Sequence, residues 1–68
     1  MDGILTIKDD GTVVDSRTGL VYGRVVRYAG AWQGWIVRNG ETVAVVYRPT
    51  RRLAAMSVAT QYLTGPEN

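Results

Sequence analysis

The sequence predicts a single small α+β domain, in which an antiparallel β-sheet of about five short strands is followed by one C-terminal helix packed on it. Three observations predict this class. The 68 residues leave room for only one domain. Stretches rich in valine and tyrosine alternate with glycine turns, and after Pro49 the spacing of apolar residues becomes that of a helix. Domain 1–68 is therefore expected to contain an N-terminal hairpin (4–15), a three-stranded meander (20–48) and a helix (51–63).

The N-terminal segment predicts the hairpin. Residues 4–8 and 12–15 are short β-branched stretches, and the Asp-Gly pair between them supplies the positive φ of a tight turn. The spacing of Asp9, Asp10 and Asp15 fits no calcium loop. We therefore interpret these aspartates as turn and cap residues rather than as metal ligands or catalytic acids.

The middle of the chain predicts the meander. Residues 20–28 form its first strand, in which Gly23 is a candidate bulge. Two turns, Ala29-Gly30 and Asn39-Gly40, lead into the next two strands, which are expected at 31–38 and 41–48.

A two-residue loop at Asn39-Gly40 would also set the register of the last hairpin, with Arg38 opposite Glu41 and Ile36 opposite Val43. Trp35 would then lie on the face away from the core as a large exposed aromatic side chain. The expected core-face residues of the last two strands are Trp32, Ile36, Val43, Val45 and Tyr47.

The C-terminal segment predicts the helix. Pro49 ends the sheet because it lacks an amide donor, and Thr50 is placed as the N-cap of a helix that Gly65-Pro66 ends. One broad apolar arc is expected to face the sheet, and its residues are Ala55, Met56, Val58, Ala59, Tyr62 and Leu63. A small SH3-like barrel, with the helix capping an open end, is the alternative architecture.

Composition excludes several kinds of chemistry. The chain contains no cysteine and no histidine, which excludes disulfides, the common zinc sites and a histidine-based catalytic triad. No glycine-rich nucleotide-binding motif is present either, so we expect no enzyme activity and no cofactor. The longest apolar run, 43–47, is far too short to span a bilayer, and the N-terminus has no basic signal region. The expected location is cytoplasmic.

Positive charge is concentrated in the middle of the chain. Residues 1–16 contain one lysine and four aspartates, a net charge of −3, whereas 17–52 contain seven arginines and one glutamate, a net charge of +6. Arg51 and Arg52 occupy the first helical turn, where the helix dipole disfavours each cation by about 0.3 to 1 kcal/mol unless an anion such as phosphate binds there. The alternative is that the arginines are solvated surface residues. The candidate nucleic-acid-binding residues are Arg24, Arg27, Trp35, Arg38, Arg48, Arg51 and Arg52.

Four short stretches between Leu20 and Leu63 resemble a known type of domain. They are Arg24-Val25-Val26-Arg27, Gly30-Ala31-Trp32, the strand through Tyr47, and Thr50-Arg51-Arg52-Leu53-Ala54. Together they resemble the three-stranded-sheet-plus-helix domains of the AP2-like and integrase arm-binding type, in which the sheet lies in the DNA major groove. The resemblance implies DNA contacts for Arg24, Arg27, Trp35 and Arg38, where they lie on the face away from the helix. The chain is also similar in style to accessory proteins of phages that infect GC-rich bacteria.

Two functions follow from these features. The leading hypothesis is a small, non-enzymatic DNA-binding accessory or regulatory protein, phage-derived and acting in the host cytoplasm. The alternative is a protein-interaction module or homodimer that acts on a host protein through the uncharged helix face, between Leu53 and Thr64, or through the Trp35 face of the sheet. Neither hypothesis includes a small-molecule substrate or a membrane partner.

Overall fold

The computed structural model describes residues 5–64, which form one antiparallel sheet with a helix packed against it. The elements are β1 (Leu5–Ile7), β2 (Thr12–Asp15), β3 (Val21–Tyr28), β4 (Ala31–Arg38), β5 (Glu41–Arg48) and α1 (Arg51–Thr64). The predicted α+β class is confirmed. The strands lie side by side in chain order with β1 and β5 at the edges, so these residues form an open sheet rather than the alternative barrel. Ile4 and the predicted Gly65-Pro66 helix stop lie outside the described residues.

Aspartate side chains stabilise the first two turns. A carboxylate oxygen of Asp10 accepts the amide N–H of Thr12 at 2.9 Å, and one of Asp15 accepts the amide N–H of Arg17 at 2.7 Å. Hydrogen bonds from the Thr12 side chain and amide lower the pKa of Asp10, and the Arg17 amide is the main cause of the lowered pKa of Asp15. The interpretation of Asp10 and Asp15 as turn and cap residues is confirmed.

The core lies between the sheet and α1. Its buried side chains are Val13, Tyr22, Val25, Ile36, Val46, Ala54, Ala55 and Val58. The helix approaches the sheet most closely over glycine: a Cβ atom added at Gly34 would lie 2.7 Å from Cγ2 of Val58 and 3.0 Å from Cγ2 of Val46. Because a methyl group does not fit there without a shift, Gly34 sets the distance between helix and sheet.

The register of the last hairpin agrees with the prediction beside the loop, where Arg38 pairs with Glu41, and differs from it by one residue farther along the strands. The Asn39-Gly40 loop is the expected two-residue turn, with φ of 55° and 79°. Beyond it, however, a bulge makes Ile36 pair with Ala44 instead of Val43. A shift of one residue moves each later side chain to the other face, so the predicted face assignment in β5 is wrong. Val45 and Tyr47, which are expected in the core, lie on the opposite face, and the third, Val43, is the extra residue of the bulge and is 44% exposed.

A second bulge lies between β2 and β3. Val13 pairs with Gly23 and Val14 pairs with Val21, which leaves Tyr22 as the extra residue beside the glycine that the sequence marks as a candidate bulge. The ring of Tyr22 points toward the helix and is buried there.

The helix covers the sheet with a narrower apolar face than predicted. Ala55 and Val58 are buried as expected, but Met56 and Leu63 are 46% and 64% exposed, and Ala54 is buried in their place. Small side chains make the contact because the helix lies so close to the glycine backbone of the sheet. The predicted N-cap is confirmed, since Oγ1 of Thr50 accepts the amide N–H of Leu53 at 3.2 Å.

Candidate nucleic-acid interface

The two faces of the sheet differ in chemistry. We call the face covered by α1 the helix face and the opposite one the open face. Side chains alternate along β4, so Trp32, Gly34 and Ile36 lie on the helix face, whereas Gln33 and Trp35 lie on the open face. The predicted site residues are divided between these faces.

Basic residues from separate parts of the chain come together where the helix begins. Arg27 of β3 and Arg48 of β5 are the register partners of Trp32, so the three residues form one row across the helix face. The helix opens with two further arginines, and Lys8 lies at the adjacent β1–β2 turn. We call this region of the domain the basic end; its basic residues lie in the row through Trp32, at the helix start and in the β1–β2 turn, and they are Lys8, Arg27, Arg48, Arg51 and Arg52.

Three of the four arginines of the basic end have a side-chain contact within the fold. The guanidinium carbon of Arg27 lies 5.5 Å from the centroid of the Trp32 ring, within the range of a cation–π interaction. Nη2 of Arg51 donates to the carbonyl oxygen of Lys8 at 2.9 Å, which joins the helix to the first hairpin. Nη1 of Arg48 donates to the carbonyl oxygen of its neighbour at 2.7 Å. A guanidinium has five N–H donors, so each of these side chains retains donors for a further acceptor.

The charge of the basic end is not neutralised within the described chain. Within residues 5–64, no arginine forms an ion pair with a carboxylate. Asp9 and Asp10 line the same open depression as Arg27, Trp32 and Arg51, but the Asp10 carboxylate is hydrogen-bonded within its own turn. Five cations and two carboxylates leave this end of the domain with a net charge of +3. Such an end attracts anions.

The start of α1 adds uncharged donors to the same place. The N-cap residue Thr50 accepts two amide N–H groups, from Leu53 through its hydroxyl and from Ala54 through its carbonyl. The amides of Arg51 and Arg52 have no acceptor within residues 5–64. Free amides at the positive end of a helix dipole are a common phosphate-binding arrangement.

The other predicted site residues lie elsewhere. Arg24 and Trp35 are neighbours on the open face, and Nε of Arg24 donates to the carbonyl oxygen of Asp10 at 3.3 Å. Arg38 lies at the opposite end of the helix face, where its guanidinium is 4.4 Å from the ring centroid of Tyr62 and donates to the Tyr62 carbonyl.

These positions restrict what the family resemblance implies. Arg24 and Trp35 lie on the face away from the helix, as the implied DNA contacts require, whereas Arg27 and Arg38 do not. The seven predicted residues therefore do not form one surface. Arg27, Arg48, Arg51 and Arg52 are brought together, and the remaining three are not.

Two residues of the basic end are not among those predicted from the sequence. Trp32 is assigned there only to the core face, yet its half-buried ring also carries the Arg27 guanidinium. Lys8 belongs to the acidic N-terminal segment and reaches the helix start only through tertiary packing. Arg27 and Val25 are two residues apart in β3 and therefore share a face, which could have placed Arg27 beside Trp32. No local signal in the sequence connects Lys8 with Arg51.

The chain matches no known protein family, no curated protein and no solved structure. Within residues 5–64, no helix has both the length and the apolarity needed to cross a membrane. The same part of the chain contains no group of three or more acidic side chains placed to hold a metal ion.

Proposed function

We propose that this protein binds the phosphate backbone of DNA through the basic end. The observation that carries the proposal is that Arg27, Arg51 and Trp32 line one depression beside two free helix amides, and no arginine there has an ion pair within residues 5–64. Lys8, Arg48 and Arg52 are their neighbours in the β1–β2 turn, in the strand row through Trp32 and at the helix start. Separate elements of the fold supply these groups, so the arrangement is not a consequence of sequence proximity alone.

The groups of the basic end have complementary roles in this proposal. The amides of Arg51 and Arg52 bind one phosphate at the helix terminus, and their side chains and Arg48 reach the flanking phosphates. Arg27 keeps its position by stacking on Trp32 and donates from its edge. The site is therefore suited to binding phosphate groups rather than to recognising bases.

Binding at the basic end is expected to depend little on DNA sequence. Contacts to phosphate position a protein on a duplex but carry no base information. The side chains that the family resemblance assigns to the groove, Arg24 and Trp35, lie on the other face of the sheet. A protein that binds through the basic end does not present them to the same duplex.

The proposal is tested by fluorescence anisotropy of a labelled mixed-sequence duplex. The logarithm of the affinity falls with the logarithm of the salt concentration with a slope of about −0.9 per phosphate contact. If all five cations contact phosphates, the affinity is expected to fall roughly 500-fold between about 50 and about 200 mM salt. The double variant Arg51→Glu, Arg52→Glu is expected to lose binding at the lower salt concentration. The matched pair for net charge is Arg52→Glu and Arg17→Glu, which make the same change of charge at two exposed positions, of which Arg17 lies outside the basic end.

The two single variants separate a local site from the effect of net charge. Arg17→Glu is expected to retain most of the affinity, because Arg17 does not contact the duplex in this arrangement, whereas Arg52→Glu is expected to lose more. Equal losses in the two variants, with circular dichroism showing that both are folded, would contradict a site at the basic end. Absence of binding by the unaltered protein at about 50 mM salt would refute DNA binding altogether.

A further inference from the structure

The open face exposes a continuous layer of apolar and aromatic side chains. Trp35 is 36% exposed and its register partner Val45 is 44% exposed. Tyr28 and Tyr47 pack ring to ring beside them with centroids 6.0 Å apart. The exposed apolar side chains on the open face are Val21, Tyr28, Trp35, Val45 and Tyr47. In water a layer of this kind favours burial against a second surface.

Hydrogen bonds within the layer reduce the cost of such burial. Nε1 of Trp35 donates to Oε1 of Gln33 at 2.8 Å, and Nε2 of Gln33 donates to the hydroxyl oxygen of Tyr47 at 2.9 Å. These bonds give the indole N–H and both ends of the Gln33 amide a partner inside the face. Polar atoms that already have partners can be removed from water without the penalty of an unpaired group.

Charge on the open face is low. Arg24 is the charged residue among the β3–β5 side chains there, and its Nε bonds to the β1–β2 turn rather than to a neighbour on the face. A partner recognised through charge would require several charged side chains in a defined arrangement, and the β3–β5 part of the open face has only Arg24. An uncharged, aromatic partner surface is complementary to it, and the open face of a second copy is such a surface.

Shape and area also fit a second copy. Two sheets of the same twist pack face to face about 10 Å apart, and two copies of this chain have identical twist. The three long strands have 8 residues each. At about 3.3 Å per residue and about 4.8 Å between strands, the whole sheet covers roughly 500 Å² in projection, and the relief of the side chains adds to this area. Stable interfaces bury upwards of about 600 Å² from each partner, so the face is just large enough.

We propose that the open face is a homodimer interface, in which the Trp35 layers of two copies pack against each other as a two-sheet sandwich. The two helices lie on the outside of this dimer, and the basic ends remain uncovered. Dimerisation does not depend on the proposed DNA binding and can be measured in its absence. Since the area is at the lower limit of stable interfaces, the dimer is expected to dissociate on dilution.

The mass in solution tests the proposal. Light scattering and sedimentation are expected to show an average mass that rises from 7.5 kDa toward twice that value as concentration increases. Between about 1 µM and about 1 mM protein, weak association of this kind is detectable. Val45→Arg places a charge in the layer and is expected to remain monomeric throughout. Met56→Arg is the matched control, because Met56 is 46% exposed and Val45 is 44% exposed, but Met56 lies on the outer side of the helix.

Three outcomes would overturn the proposal. They are a monomeric unaltered protein over the whole range, a dimer unaffected by Val45→Arg, and loss of the dimer in Met56→Arg but not in Val45→Arg. A measurement on the unaltered protein keeps the test valid if Val45→Arg does not fold. On dilution, the NMR resonance of the Trp35 indole N–H is expected to shift and that of Trp32 to stay, and the reverse pattern contradicts the proposed interface.

Discussion

A double-mutant cycle at the contact between helix and sheet tests the close approach that organises the fold. The Cβ atom added by Gly34→Ala would lie 2.7 Å from Cγ2 of Val58, so the helix has to move or the side chain has to change rotamer. Overpacking of this kind costs about 1 to 3 kcal/mol. Val58 has no exposed surface, and Val58→Ala removes two methyl groups from the centre of the core. The expected loss is about 2 to 3 kcal/mol, from about 0.8 kcal/mol per group plus a cavity cost.

The two substitutions are expected to compensate for each other. In the double variant, the methyl group at position 34 occupies space that the valine methyl groups leave, so both the clash and the cavity become smaller. The double variant should therefore lose about 2 to 3 kcal/mol rather than the sum of the single losses, a coupling of about 1 to 2 kcal/mol. Because 68 residues support only about 3 to 10 kcal/mol of stability, each loss is a large fraction of the total.

Urea unfolding followed by circular dichroism measures the cycle. With a slope of about 1 kcal/mol per molar urea, a loss of about 2 kcal/mol moves the midpoint by about 2 M. The control cycle pairs Val58→Ala with Thr60→Ala, whose side chain is exposed, and is expected to be additive within about 0.5 kcal/mol. Additive losses for Gly34 and Val58 would refute the described packing of the helix on the glycine.

Three further substitutions test separate parts of the account. Ala29 has φ of 51°, a conformation that asparagine tolerates better than alanine, so Ala29→Asn is expected to raise the free energy of unfolding by about 0.5 to 1 kcal/mol in urea titrations. The pKa of Asp15 is lowered in the folded state, so its carboxylate stabilises the fold at pH values above the ordinary carboxyl pKa. This contribution to stability is lost as the pH falls through the pKa of the folded state. Asp15→Asn is therefore expected to flatten the fall in thermal stability below about pH 4, and an unchanged profile would contradict this role. Arg38→Met removes the contact with Tyr62 and is expected to lower stability by about 1 to 3 kcal/mol while leaving duplex affinity unchanged; loss of affinity in the folded variant would place Arg38 in the site.

Local signals were sufficient to predict the elements of the fold. Glycine turns, the proline that ends β5 and the threonine N-cap each act over a few residues, and the strand and helix boundaries follow them closely. Asn39-Gly40 correctly predicts a two-residue loop because both positions require positive φ. These features need no information about the rest of the chain.

The faces of the elements could not be predicted in the same way. The bulge in β5 is only one residue, but it reverses the face of Val45 and Tyr47, and no residue type in β5 marks its position. Met56 and Leu63 belong to the apolar arc by spacing, yet they are exposed because the helix contacts the sheet through small residues. The exposure of Met56 and Leu63 depends on how closely the helix approaches the sheet, whereas the reversed faces in β5 depend on the pairing of β4 with β5.

The residues of the basic end could likewise be predicted only in part from the sequence. Arg48, Arg51 and Arg52 are neighbours in sequence, so their proximity could be predicted from the helix start alone. The addition of Arg27 depends on the register between β3 and β4, and that of Lys8 depends on a hydrogen bond between distant residues. The separation of Arg24 and Trp35 from this cluster follows from strand alternation once the helix face is known.

The two indole N–H resonances provide the most direct test of the proposed DNA site, because Trp32 lies at the basic end and Trp35 lies on the open face. A titration of the protein, at a constant concentration, with an unlabelled mixed-sequence duplex is followed by two-dimensional nitrogen–proton NMR. The Trp32 indole resonance is expected to shift until binding is saturated, while that of Trp35 remains near its starting position. A larger shift of Trp35 than of Trp32, or no shift of either at saturating duplex, would contradict DNA binding at the basic end.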